Sequence, residues 1–225
     1  MIESTKMFWQ EDIDEAQFVV SDEVVDLLFK IRCSTLPVDH AWSLSEAIHA
    51  ELPWFADEPQ TGLHLIYGAD SGNGWERPEN GDEPLYLSRR TRLVLRLPKR
   101  RVEDARQLTG KTLLIQDNPL EVGEARTRSL ATTTTLYCRH LVTDTEMEED
   151  ELMGLAVAAL RGMNIRFKKV LCGKSRSFST PDGDLPTQSL MVAGLALDDA
   201  ITLQQQGLGP HRNRGFGLFI PHKTV

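Results

Sequence analysis

Gln206-Gly207-Leu208-Gly209-Pro210-His211-Arg212-Asn213-Arg214-Gly215-Phe216-Gly217-Leu218-Phe219-Ile220-Pro221-His222-Lys223 is the stretch from which the rest of the chain can be read. Gly207, Gly209, Gly215 and Gly217 let the backbone turn through positive φ and let another chain approach closely. Successive backbone N–H groups in such a loop can face an anion. Arg212 and Arg214 add a planar fork suited to phosphate, with His211 and Lys223 as further contacts. The run 215–220 reads as a closing strand. A glycine and arginine loop feeding a terminal strand points to a phosphate backbone as ligand.

Working back from that loop, residues 198–206 read as a helix, 188–197 as a strand and 173–186 as a loop. That loop carries the turn signal Thr180-Pro181-Asp182-Gly183. Residues 166–172 read as a strand, 148–161 as an amphipathic helix and 136–142 as a strand. The same order stands in the first half. Val25, Leu27, Phe29, Ile31 and Cys33 alternate with mostly polar residues, a half-buried strand. A helix follows from Asp39, its expected N-cap, to Pro53. Strands are expected at 63–67 and 85–97, a short helix at 101–108 and a strand at 111–116. Two βαββαβ units give an α+β chain of tandem ferredoxin-like domains. The expected division is an acidic extension over 1–22, a first domain over 23–118, a linker over 119–130 and a second domain over 131–225.

The 225 residues carry a net charge of −8. Acids crowd the N-terminus and the run 146–151. Bases gather at Arg89, Arg90, Arg92, Arg96 and Lys99–Arg101, at Lys168, Lys169, Lys174 and Arg176, and in the terminal loop. Local field, not total charge, governs binding of a polyanion. Each basic run on its own is also what a solvated face looks like. Cys33, Cys138 and Cys172 lie far apart without metal-ligand spacing, as expected of thiols in a reducing cytoplasm. No apolar stretch approaches the ~20 residues of a membrane span. No secretory signal is visible at the N-terminus.

His40 is the first candidate for chemistry. At the start of a helix the positive dipole end favours a neutral ring, which suits proton transfer; a histidine that merely tolerates a helix start is the bland alternative. His49 is out of phase with it on the same helix. His64 and His140 fall on strands and read as structural or exposed. No HxH, HExxH or paired Cys/His spacing is present, so no metal or other cofactor is expected. Gln204-Gln205-Gln206-Gly207-Leu208-Gly209 fits the Q-x-x-G-x-G loop of acetyl-CoA-dependent N-acetyltransferases. There the loop leads from a strand into a helix; here a helix precedes it, so the polarity is reversed.

Element order and glycine loop together resemble the CRISPR-associated repeat-RNA endoribonucleases of the Cas6 family, most closely a myxobacterial subgroup. The resemblance is carried by Leu36-Pro37-Val38-Asp39-His40-Ala41, Ser71-Gly72-Asn73-Gly74-Trp75, the block 85–93, Leu171-Cys172-Gly173-Lys174-Ser175, the block 187–193 and the terminal loop. It implies a metal-independent enzyme that cuts CRISPR repeat RNA at the base of a hairpin. The ribose 2′-OH attacks the adjacent phosphate and leaves a cyclic phosphate and a 5′-OH. Such enzymes often keep the mature guide RNA and pass it to an interference complex; neither DNA nor membrane contact is implied.

The resemblance puts His40 in the general acid–base role. Lys174 is the expected cation for the developing charge, with binding to RNA backbone alone as its alternative. Tyr86 or Tyr67 would orient the 2′-OH. Arg176, Gly207, Gly209, His211, Arg212, Arg214, Gly215 and Lys223 would grip RNA backbone, and Arg89 with the Arg90, Arg92 and Arg96 face a hairpin stem; the alternative for Gly215-Phe216-Gly217 is a purely structural role, with Phe216 filling core between the loop glycines. The rival readings are an RNA-holding subunit that does not cut, the acetyltransferase, and a protein-interaction domain working through its acidic N-terminus.

Overall fold

The computed structural model describes residues 20–67, 84–144 and 147–222. Most of the acidic extension, the block Ser71–Trp75 and Lys223 lie outside the described residues. In chain order the elements are β1 (Val24–Arg32), β2 (Thr35–Pro37), α1 (Ala41–Glu51), α2 (Trp54–Asp57), β3 (Gly62–His64), β4 (Pro84–Tyr86), β5 (Arg92–Pro98), α3 (Val102–Ala105), β6 (Thr112–Ile115) and β7 (Asn118–Arg128). The second half adds β8 (Thr135–Val142), α4 (Glu149–Gly162), β9 (Lys169–Thr180), β10 (Gly183–Ala193), α5 (Leu197–Gln206) and β11 (Phe219–Pro221).

The second sheet has strand order β11-β8-β10-β9 and the first β3-β5-β1-β7-β6. Read as strands four, one, three and two, both follow the antiparallel ferredoxin-like arrangement; β6 is an added edge strand on the first. The cores are separate. One packs α1, through Leu44 and Ile48, onto Leu27, Phe29, Leu93 and Leu95. The other packs Leu152, Ala156 and Leu160 of α4 and Leu203 of α5 onto Leu136, Cys138, Leu190 and Val192. Each such aliphatic side chain contributes about 1.5–3 kcal/mol by burial.

Several expectations are corrected. The linker expected at 119–130 is β7, which pairs with β1 along Asp26↔Arg128 to Arg32↔Glu121 and so is the fourth ferredoxin strand. The expected strand at 111–116 is the outer arm of its hairpin, paired along Ile115↔Asn118, with Gln116 at φ 52 in the turn. The chain connecting the two sheets is 129–134, held where Gln204 bonds both the N–H and the C=O of Ala131 at 3.2 and 2.8 Å.

The long strand expected at 85–97 is broken into β4 and β5 by a turn in which Thr91 N donates to Ser88 O at 3.0 Å. Ser88 Oγ also accepts from Arg90 N at 3.2 Å, a serine turn of the kind that competes with strand structure. β4 leaves the main sheet and pairs with β2. The loop expected at 173–186 is the tip of the long β9–β10 hairpin, closed at Thr180↔Gly183. Asp39 does not cap α1. His40 occupies the cap position, and Asp39 Oδ2 instead accepts from Ser179 N at 2.6 Å, tying the hairpin to the start of α1.

Candidate functional site

The two halves meet along a seam built from the start of α1, the segment 65–67 after β3, the end of β9 and the glycine loop. Ala41, Leu65, Phe178 and Phe216 form a small apolar core there, with Tyr67, Val142 and Leu185 packed against it. Phe178 stands edge-on to Phe216 at 5.1 Å and to His140 at 4.7 Å.

His40 lies in this seam and is 1% exposed. Its Nδ1 is 2.9 Å from Pro37 O, and Ile66 N donates to its Nε2 at 3.1 Å. A carbonyl only accepts and a backbone N–H only donates, so Nδ1 carries the proton and the ring is neutral. Both nitrogens therefore serve backbone groups, and His40 stitches the α1 start to the segment after β3.

One residue on from Ile66, the Tyr67 hydroxyl lies 2.8 Å from His140 Nε2. Thr187 Oγ1 donates to Arg176 O at 3.0 Å and stands 3.4 Å from His140 Nδ1. That leaves Nδ1 as the donor to Thr187 and Nε2 as the acceptor of the Tyr67 O–H. The Arg139 guanidinium lies 4.3 Å over the Tyr67 ring, a cation–π contact. A cavity of about 110 Å³, lined by Tyr67, Arg139, His140 and Gly215 among others, opens beside them. The sequence reading included Tyr67 but took His140 as a bystander and passed over Arg139; Tyr67 and His140 are separated by 73 residues.

The glycine loop is built for packing. A Cβ on Gly217 would lie 1.9 Å from Leu208 O, and one on Gly207 2.5 Å from Gly217 O. The N–H groups of Leu208 and Gly217 bond Gly217 O and His140 O at 3.0 and 2.7 Å. Those of Arg214, Gly215 and Phe216 bond His211 or Arg212 carbonyls. These amides are therefore spent on carbonyls of the loop and of β8 rather than presented to an anion, and Gly209 and Gly215 serve the same close packing.

The basic residues of the loop also depart from expectation. Arg214 Nη1 bonds Ser45 Oγ at 2.9 Å and Glu46 Oε1 at 2.6 Å, and its guanidinium lies 3.8 Å over Trp42. Arg212 turns inward: its Nε and Nη2 are buried without a partner among the described residues. Burial, and then the charge of Arg96, bring its pKa down to about 10. His211 remains exposed, in a left-handed conformation at φ 63. Burial and Arg214 hold its imidazole below the usual histidine range.

The expected arginine face is dispersed. Arg96 is 1% exposed and binds Asp26, Gln204 O and Phe219 O. Arg92 is half-buried, while Arg89 and Arg90 are exposed on the turn before β5. Tyr86 is 63% exposed on β4. Lys174 is exposed and Arg176 half-buried on β9. Lys174 lies five residues, about 17 Å along the strand, from the Ser179–Asp39 contact at the seam, so it is not brought to His40. Among the described residues no helix is long and apolar enough to cross a membrane.

The Cas6 family model, described as Cas6 Crispr, matches residues 25–224. The CRISPR-associated endonuclease Cas6 of Myxococcus xanthus (strain DK1622) is 27% identical over 197 residues, 88% of this chain and 81% of that protein. A solved CRISPR associated protein Cas6 superposes with a TM-score of 0.60 at 13% identity, covering 89% of this chain and all of the other. A RAMP protein binding different RNA substrates gives 0.59 at 12% identity, over 87% of this chain and 98% of that one. At such identities the structural likeness shows the fold, which agrees with the tandem ferredoxin-like arrangement.

Proposed function

The chain belongs to the Cas6 family, the endonucleases of CRISPR RNA processing, and on that premise we propose that it cuts CRISPR repeat RNA at the seam between its two halves. The observation that carries this reading is the convergence of Tyr67, His140 and Arg139, drawn from both halves, around one small cavity, with His40 bonded to Ile66, the residue before Tyr67.

The reaction is transesterification and calls on no metal. The 2′-oxygen bonds to phosphorus as its proton leaves to a base, the P–O5′ bond breaks, and O5′ takes a proton from an acid. The products are a cyclic phosphate and a 5′-OH. In-line attack needs a proton acceptor, a proton donor and a cation near the developing charge. Tyr67, hydrogen-bonded to His140, orients the 2′-OH. Arg139 supplies the cation, and Lys174 contacts RNA backbone. His40 exchanges a proton once Ile66 N–H releases its Nε2 on RNA binding. The segment 65–67 carries Ile66 and Tyr67 together, so one small shift frees His40 and brings Tyr67 to the substrate.

The product remains bound as mature guide RNA and passes to an interference complex. The test is cleavage of CRISPR repeat RNA by wild type, His40→Ala and Tyr67→Phe with binding measured in parallel. The reading requires that both variants bind and that both cut far more slowly; full activity in both would overturn the seam as the reaction site.

A further inference from the structure

We propose that the cleft at the carboxyl end of β1 is a binding site for a single-stranded RNA segment flanking the hairpin; this rests on the function proposed above. Two lobes of about 630 and 350 Å³ share Ile31, Arg32 and Arg89. Lys30 and Arg92 complete a ring of four cations, and Ile31 with Leu87 gives an apolar wall. Two acids answer them: Glu124 meets Lys30 at 3.2 Å and Glu121 meets Arg32 at 3.1 Å. All four of those side chains are more than half exposed, so these pairs are weak and an incoming phosphate competes with them. Among the described residues Arg89 makes no ion pair and Arg92 bonds only carbonyls, so neither charge is answered by an acid there.

Shape selects the ligand. The arginine row expected to cradle a duplex loses Arg96 to the interior, and what remains is concave and of small-ligand size. An A-form helix is bound across its wide, shallow minor groove, whereas a single strand enters a narrow cleft and stacks its bases on aromatic or guanidinium planes. Arg92 Nη1 donates to Arg89 O at 3.0 Å and Thr91 O at 2.7 Å, which holds its guanidinium in one orientation.

The experiment uses fluorescence anisotropy on three RNAs: the bare repeat hairpin, and the hairpin with a single-stranded extension on its 5′ or its 3′ side. One extension should tighten binding to wild type. In Arg89→Ala/Arg92→Ala that gain should vanish while affinity for the bare hairpin changes less than about twofold. The slope of log K against log salt for the extended RNA should fall by about 1.4, two phosphate contacts on a single strand. Arg89→Glu, an exposed charge reversal that spares the fold, should act in the same direction. An equal loss on the bare hairpin would mean stem contact and overturn the inference, as would an unchanged gain. Wild type that binds no repeat RNA would sink the proposed function itself, and this inference with it.

Discussion

Arg96 Nε donates to Asp26 Oδ1 at 2.9 Å, deep between the halves, while Arg96 Nη1 reaches the carbonyls of Gln204 and Phe219 at 3.0 and 2.9 Å. One side chain of the first sheet thus neutralises a buried carboxylate and satisfies two carbonyls of the second half. Arg96→Met should cost about 3–5 kcal/mol, because it strands Asp26 without its main partner. Urea unfolding measures this, and the loss should be insensitive to salt, unlike that of a surface pair. A phosphate-binding arginine would give the opposite pattern, near-normal stability and weaker RNA binding.

The same cluster predicts acid sensitivity. Burial pushes the Asp26 carboxyl up, yet Arg96 and His64 beside it hold it well below the usual carboxylate range. Its contribution is complete above the unfolded value of about 3.9 and is lost as pH falls through the folded one. Burial holds His64 below its ordinary value. Below about pH 6.5 the unfolded chain takes up that proton more readily, so stability declines further. Urea midpoints should fall steadily from pH 7 to 5, and His64→Gln should flatten part of that decline.

Gly217→Ala tests the loop. Its φ of 65 alone costs a side chain about 1–3 kcal/mol. The 1.9 Å approach to Leu208 O adds a clash that only backbone movement relieves. The substitution should lower stability and the cleavage rate together, as read by thermal unfolding beside an activity assay. Loss of RNA affinity at normal stability would instead favour the loop as an anion cradle.

Tyr67→Phe removes one oxygen from the seam. Cleavage should fall by about 10²-fold at unchanged RNA affinity, the scale expected when a group that orients the nucleophile for in-line attack is lost. His140→Asn should show a similar loss. A change in affinity alone, with the single-turnover rate intact, would make the pair a packing feature.

The fold was legible where one face of an element is apolar and the other polar. α4 and α5 follow their apolar spacing to within a residue or two, and the βαββαβ order emerges from them and from β8, β10 and β1. β7 and the outer half of β9 were hidden because their exposed residues, such as Glu121, Glu124, Arg126, Lys174 and Ser177, dilute the alternation that marks a strand. Arg96 was misread for a related reason. Period two places it opposite Leu95 and Leu97, but only the packing of α5 and β11 over that face decides that it is buried. His40 and the glycines stood out from local sequence, whereas the Tyr67–His140 contact joins the segment after β3 to β8, two parts of the chain 73 residues apart.

Cleavage of CRISPR repeat RNA in excess EDTA, with the product ends identified, tests the central claim most directly. The account predicts one cut that leaves a cyclic phosphate and a 5′-OH, abolished or slowed by orders of magnitude in His40→Ala. RNA that binds tightly yet stays intact, or that is cut only when a divalent metal is restored, would contradict it.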